Sequence, residues 1–404
     1  MQEHSRRSVL RRVGATSIVG GVAAVSGIVT SETVSAAGRD HTVSPEESIQ
    51  KAINQAQPGD TIHIEPGEYR ENLETVRSGN NGSPITLTGP SDAVFMGGGD
   101  ARSFEIKHSH IHLTGLTLNG LHDADNPNQL SSYRDKMVYA EPDSSEYLED
   151  LIISPHGAGN TTGECIRLSM TKQSMVGDFN VIGATGREHY GPGNQSGSNG
   201  EVVYLGTSPS QIDEPPHNGN IDETRNICVR QIDNSDGHEH SELVNTKEGT
   251  RNILIEYCTD RNSVYPEGGE INIQGQETIA RYNDLQDGDG AAVRVGWSTP
   301  DPDAPDAGKL NSVYYNTLKN NDGDAIKLPK SNAGPSEQRY LCGNDYNGST
   351  ADTPGSSCPR KLPTSSTWGA SGGTWKTVKS QKGRMMANFR SSWMRFIVRA
   401  RSTN

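Results

Sequence analysis

Along the chain, short runs of alternating apolar and polar residues return again and again, each opening on or near an acidic residue. Glu164-Cys-Ile-Arg-Leu, Glu201-Val-Val-Tyr-Leu, Glu242-Leu-Val-Asn-Thr-Lys247, Glu270-Ile-Asn-Ile-Gln and Asp324-Ala-Ile-Lys-Leu share one frame, and Ala291-Ala-Val-Arg-Val fits it without the acid. Period-two alternation predicts strands, and a spacing of roughly 20–40 residues predicts stacked units. Sister strands are predicted between these lines, among them Ile85–Thr88, Ile111–Leu118, Asn252–Glu256 and Thr278–Tyr282. Turns rich in Gly, Asn and Asp connect them, with no helical crossovers. Two or three strand types per unit without helices predict an all-β fold, a right-handed parallel β-helix. Residues 45–56 carry a helical pattern with Ser44 as N-cap and Pro45 at the first helical position, which suits a cap over the open end of a solenoid. Interruptions at 120–149, 187–200, 208–223 and 297–309 read as loops.

Aligning the lines on their openers sorts the positions. The third and fifth positions are mainly apolar and face the core. The fourth reads Arg167, Tyr204, Asn245, Ile273, Arg294 and Lys327, and points outward. The sixth, also outward, reads Ser169, Gly206, Lys247, Gly275, Gly296 and Pro329. Neighbouring rungs lie about 4.8 Å apart. Tyr204, Asn245, Lys247 and Arg294 are therefore expected to meet one sugar-sized ligand, with small residues beside Lys247 leaving room for it.

Composition supports a solenoid: 404 residues with 45 glycines, 31 % hydrophobics and 5 % aromatics make a poor helical globule. Three segments are expected. Residues 1–37 hold Ser5-Arg-Arg-Ser-Val-Leu, a Gly/Ala/Val stretch and Val34-Ser-Ala-Ala, the pattern of a twin-arginine (Tat) export signal, so the protein is expected to be secreted. Residues 38–345 form the β-helix, and 346–404 a polar, basic tail. Without residues 1–37, which carry four Arg and two Glu, the net charge moves from −13 to −15. Such an acidic, weakly hydrophobic chain suits export into high salt, as in haloarchaea. It argues against nucleic acid and against a membrane partner once the signal is removed. A monomer is the expected state. Cys342 and Cys358 bracket a loop and are expected to pair, while Cys165, Cys228 and Cys258 read as buried small hydrophobes.

The segment SIQKAINQAQPGDTIHIEPGEYREN resembles the entry cap of secreted right-handed β-helix proteins of the pectate lyase superfamily, in particular chondroitinase B/alginate lyase-type polysaccharide lyases. GEVVYLGTS and SELVNTKEGTRNILIEYC resemble paired lines of bacterial members, and the likeness spans roughly 40–345. The resemblance implies β-elimination on a uronate-containing, anionic polysaccharide. It implies Lys247 as base, Arg294 as carboxylate stabiliser and Tyr204 as proton donor to the leaving oxygen, with Arg167, Asn245 and Lys327 binding substrate. A base needs its pKa near the operating pH, and Arg294 or calcium beside Lys247 is expected to lower it. Calcium is the candidate cofactor, through Glu201, Asp233, Asp236 and Glu242, since oxygen ligands suit it. The opening acids have a structural alternative, in which each caps turn N–H groups of the next coil. Two other functions remain open on the residues. Asp322 and Asp324 faintly resemble the aspartates of polygalacturonase-like hydrolases, and a non-catalytic glycan-binding β-helix needs no such site.

Overall fold

The computed structural model describes residues 38–187, 190–191, 194–195, 199–296, 302–328, 334–347 and 358–359. The expected export signal at 1–37 and most of the expected tail lie outside the described residues. The fold is a parallel β-helix. Among the described residues, the strands of a nine-stranded and a twenty-stranded sheet pair in parallel from one coil to the next, and Tyr190–Gly191 and Asn194–Gln195 form a separate antiparallel pair. The long strands Thr171–Val181 and Arg225–Asp233 join two ladders into the larger sheet. The repeated line forms the nine-stranded sheet, which includes Arg102–Ile106, Lys136–Ala140, Ile166–Leu168, Val203–Leu205, Val244–Thr246, Gly269–Ile273, Ala291–Val295 and Ile326–Lys327.

Stacking puts like on like. Ile166, Val203, Val244, Ile271, Val293 and Ile326 pair in succession, and all are buried in one continuous core. At a turn, Asn283 Nδ2 donates to Asn316 Oδ1 and Asn316 Nδ2 to Asn344 Oδ1, each at 3.0 Å. This amide ladder serves buried turn groups that no strand pairing reaches. Cys342 and Cys358 form the expected disulfide, and Cys165, Cys228 and Cys258 are free and buried.

Three expectations need correction. The helix is Ile49–Gln55 with Ser48, not Ser44, as its N-cap, and Ser48 Oγ accepts from Lys51 N at 3.1 Å. Ser44 instead closes a separate turn with Glu47, donating its N–H to Oε2 at 3.0 Å, so Pro45 lies before the helix. The helix still caps: Ile49, Ala52 and Ile53 are buried in the solenoid core. Second, the expected interruption at 120–149 contains a rung, Lys136–Ala140, in register with Arg102–Ile106. A frame that demands an acid at its opening misses it, because Lys136 stands there. Third, the line at Glu270 starts one residue earlier than its acid suggests, at Gly269. Asn272, not Ile273, pairs with Asn245 and Arg294. A one-residue slip would turn Ile271 and Ile273 out of the core, so their burial fixes the register.

That register leaves Glu270 opposite Ala292 and next to Leu243, in an otherwise apolar column. Its carboxyl is fully buried, and neither oxygen has a hydrogen-bond partner among the described residues. Burial, then the nearby Asp260, pushes its pKa well above the usual carboxylate range against the opposing pull of Arg261. The sign follows from linkage: a carboxyl held protonated by the fold contributes full stability below its unfolded pKa and loses it as pH rises towards the folded value. Glu270→Gln should therefore stabilise the protein at neutral pH and above. It should also remove a slope of about 1.4 kcal/mol per pH unit from stability measured by denaturant titration between mildly acid and neutral pH. An unchanged slope would show that Glu270 is not held protonated.

Candidate active site

The outward face of the nine-stranded sheet carries a column in register across successive rungs: Glu105, Tyr139, Arg167, Tyr204, Asn245, Asn272, Arg294 and Lys327. Its central part is not solvated. Arg167, Tyr204, Asn245, Asn272 and Arg294 are all at least nine-tenths buried.

The core of this face is an alternating stack of cations and rings. Arg102 lies 3.6 Å from the Tyr139 ring centre, and Arg167 lies 5.4 Å away. Arg167 is 4.5 Å from the Tyr204 ring centre, and Lys247 Nζ is 4.6 Å from it. Each tyrosine thus has two cations against its ring, an arrangement favoured by the ring quadrupole and strengthened where water is scarce. Arg167 also approaches Glu164 at 3.5 Å, and Lys136 meets the same carboxylate at 2.8 Å.

Lys247 is placed by its turn. Its N–H donates to Leu205 O at 2.9 Å, and its carbonyl accepts from Thr250 N at 2.9 Å and Thr250 Oγ1 at 2.7 Å. Gly206, in the left-handed region at φ 85°, lies beside it, and a Cβ there would come within 2.6 Å of Thr250 Cγ2. Gly249 meets the 208–223 interruption, where a Cβ would lie 2.4 Å from Asp222 O. Asp222 in turn accepts from Ser169 Oγ and Met170 N, both at 3.0 Å, and so ties that interruption to the rung below. The frame correction removes Gly275 from the column of Lys247; Gly206 and Gly296 remain.

The acids open a second layer. Asn245 Nδ2 donates to Glu201 Oε1 at 2.9 Å and to Glu242 Oε2 at 2.5 Å, and Asn272 Nδ2 to Glu242 Oε1 at 2.7 Å. Burial, then Glu201, pushes Glu242 up to about 8 against Lys247, Asn272 and Arg294. Burial also raises Glu201, with Lys247 opposing. These glutamates are held by side-chain amides, and Glu164 by Lys136 and Arg167. The expectation that they cap turn N–H groups of the next coil is therefore not met. The expected calcium set is not brought together either. Asp233 and Asp236 are exposed, and Asp233 closes its own turn by accepting from Ser235 N at 2.9 Å. Among the described residues, no group of three or more His, Cys, Asp or Glu side chains is arranged to hold a metal ion.

Protonation also departs from expectation. Burial lowers the pKa of Lys247, but Tyr204, Glu201, Glu242 and Glu248 outweigh it, and the net shift is upward. Lys247 is an ammonium at rest, not an amine. Burial raises Tyr204 and keeps it a phenol, although Lys247 and Arg167 pull the other way. Arg294 stands further along: its Nη1 donates to Glu267 O at 2.6 Å, under the turn 265–268. Lys327 Nζ reaches the same carbonyl at 3.4 Å from a more exposed position. The structure thus groups Arg167, Tyr204, Asn245 and Lys247, and sets Arg294 and Lys327 beyond Asn272. Asp322 and Asp324 are exposed. Arg102, Lys136 and Tyr139 were missed; the same frame, read without an acid at its opening, would have found them.

Comparison with known proteins bears on the fold. No family model and no curated protein matches the chain. Among solved structures, an alginate lyase from Paenibacillus sp. str. FPU-7 is similar with a TM-score of 0.54 and 17 % identity, over 77 % of this chain and 98 % of that one. The pectate lyase Pel9A is similar with a TM-score of 0.51 and 12 % identity, over 78 % of this chain and 79 % of that one. The structural neighbours are parallel β-helix proteins of the pectate and alginate lyase type. At these identities the likeness is one of fold.

The turn at Lys247 gives a direct test. Gly249→Ala forces a Cβ against the Asp222 carbonyl and should cost about 1–3 kcal/mol, read as a lower melting temperature. Unchanged melting would show that the clamp on this turn is slack.

Proposed function

We propose that the protein is an exported polysaccharide lyase that cleaves a uronate-containing anionic polysaccharide by β-elimination. The observation that carries this reading is the pair of Tyr204 and Lys247 on adjacent rungs, in contact at 4.6 Å, with Arg167 also against the tyrosine ring at 4.5 Å. Elimination needs three things close together: a base for the proton α to the uronate carboxyl, positive charge for the enolate-like oxygens, and a proton for the leaving oxygen.

Tyr204 is in the right state to donate, because burial keeps its phenol protonated. Arg167 takes the carboxylate-stabilising role expected of Arg294, since it is the arginine in contact with Tyr204. Lys247 is the base in its neutral form. The C5–H bond breaks as the amine takes the proton, the electron pair forms the C4–C5 double bond, and the C4–O bond breaks with a proton from Tyr204. Asn245 holds the two acids behind the pair. Any calcium dependence would come from the polysaccharide and not from Glu201, Asp233, Asp236 and Glu242, a set that the fold does not bring together. Secretion by the Tat route rests on the leader sequence alone. The lyase-type fold of the neighbours supports a polysaccharide partner.

The raised pKa of Lys247 sets the pH dependence. The neutral amine grows as pH rises, so kcat/KM should climb about tenfold per pH unit through the neutral and mildly alkaline range. The assay is ultraviolet absorbance of unsaturated uronate ends on alginate, pectate and sulfated uronans in high salt, with and without chelator. Lys247→Ala should lose at least a hundredfold in kcat, and Tyr204→Phe should lose a comparable factor, in the range of general acid–base catalysis of about 10²–10⁴. If no uronan yields unsaturated ends, the lyase reading fails, and reducing ends without absorbance would favour the hydrolase. Full activity in Lys247→Ala would move the site elsewhere.

A further inference from the structure

Away from the nine-stranded sheet, one corner of the solenoid carries a ladder of tyrosines. Tyr257, Tyr282 and Tyr315 each follow directly on a residue of one paired column, Glu256, Arg281 and Tyr314. Their rings stack at 5.3 Å and 5.8 Å, with planes 10° and 15° apart. Tyr314 meets Tyr315 edge-on at 5.6 Å, and the exposed Tyr340 meets Tyr314 edge-on at 6.4 Å. All three stacked tyrosines have positive φ, at 57°, 56° and 59°. Bulky side chains seldom take that conformation. The three rings are half-buried, so the ladder reaches the surface.

The ladder ends where the described chain ends. The next corner is Gly343, where a Cβ would lie 2.6 Å from Tyr315 Cε1 and 3.1 Å from Cys358 Sγ. Cys358 is bonded to Cys342, and the Tyr315 hydroxyl donates to Pro359 O at 2.8 Å. The disulfide therefore delivers the following segment to the foot of the ladder. That segment, residues 360–404, holds ten Lys and Arg, no Asp or Glu, and three of the protein's four Trp. Residues 38–359 hold 23 Lys and Arg against 48 Asp and Glu.

The two flanks of the ladder differ in charge. On one, Glu256 meets Arg281 at 2.7 Å and Asp178 meets Arg230 at 3.2 Å, so charge is balanced. On the other, Asp233, Thr259, Asp284, Thr317 and Asp345 run in register, two residues beyond the ladder. With Asp287 this flank has four acids. They share two cations: Arg261, 2.9 Å from Asp284 and 3.9 Å from Asp287, and Lys319, 2.5 Å from Asp345. The acidic excess disfavours an anionic glycan and favours a basic partner. Stacked rings also spend their faces on one another. Their edges suit T-shaped contact with Trp, and phenol oxygens accept from Lys and Arg.

We infer that residues 360–404 turn back from the disulfide and dock along the Tyr257–Tyr282–Tyr315 ladder and its acidic flank. The ladder spans two rungs, about 10 Å, which a few extended residues cover at about 3.3 Å each. The tether makes docking intramolecular, at an effective concentration on the order of mM. A segment of the same chain therefore outcompetes a second copy. This inference stands apart from the lyase reading and needs no substrate for its test.

The experiment is limited trypsin digestion of the full chain, with the cuts beyond Lys376 followed by mass spectrometry. Cleavage of a docked segment tracks the fraction released. Tyr257→Ser combined with Tyr282→Ser should speed these cuts about tenfold or more, as should Cys358→Ser, each without loss of the thermal transition of the body. If the double tyrosine variant does not fold, Trp368→Ser with Trp375→Ser decides, because it alters only the docking segment and should give the same gain. Equal cleavage in wild type and folded variants overturns the inference, whether the segment is always open or is protected elsewhere. Protection that falls on dilution also overturns it, since the segment then docks on a second copy.

Discussion

Everything in this molecule depends on in-register parallel stacking. A coil of the solenoid buries its apolar residues only against the coils above and below, so each position must suit its two axial neighbours. The column from Ile166 to Ile326 shows the rule in the core. The asparagines at 283, 316 and 344 show it at a turn, where each amide serves the next. The same rule operates on the outward face, where rings and cations are brought to within contact distance one rung at a time.

The outward face is therefore a product of the scaffold rather than of loops alone. Two acids, Glu201 and Glu242, stand side by side because their rungs do. They are tolerated because Asn245 donates to both, because Lys247 is near, and because burial shifts them towards the neutral form. Lys247 keeps its proton through the same arrangement, because Tyr204, Glu201 and Glu242 lie against it and outweigh its burial. Its position is set separately, by a turn pinned between Asp222 and Thr250. Electrostatics and placement thus come from different parts of the chain.

Much of this was legible in the sequence. Apolar residues at alternate positions, recurring at solenoid spacing, carried the fold, and the frame put Tyr204, Asn245 and Lys247 on one face. What could not be read was relational. Whether Glu270 or Gly269 opens its rung depends on which register buries Ile271 and Ile273, a choice made by the neighbouring coils. The rung at Lys136–Ala140 was hidden because a cation opens it, and that cation is there to meet Glu164 on the next rung. The direction of the shift at Lys247 depends on a sum over Tyr204 and three acids, and Tyr204 and Glu201 come from another rung. Arg294 was credited with a role by its place in the column, but the turn 265–268 engages its guanidinium, and no local pattern announces that contact.

The alternation of Arg102, Tyr139, Arg167, Tyr204 and Lys247 has a consequence for how such a protein can change over generations. A ring with two cations against it has little freedom to rotate, and Arg167 supports two rings at once. Removing Arg167 would loosen Tyr139 and Tyr204 together, although they belong to different coils. The five side chains behave as one mechanical part distributed over separate repeats. A lineage can alter this pile only by exchanging neighbouring members in concert.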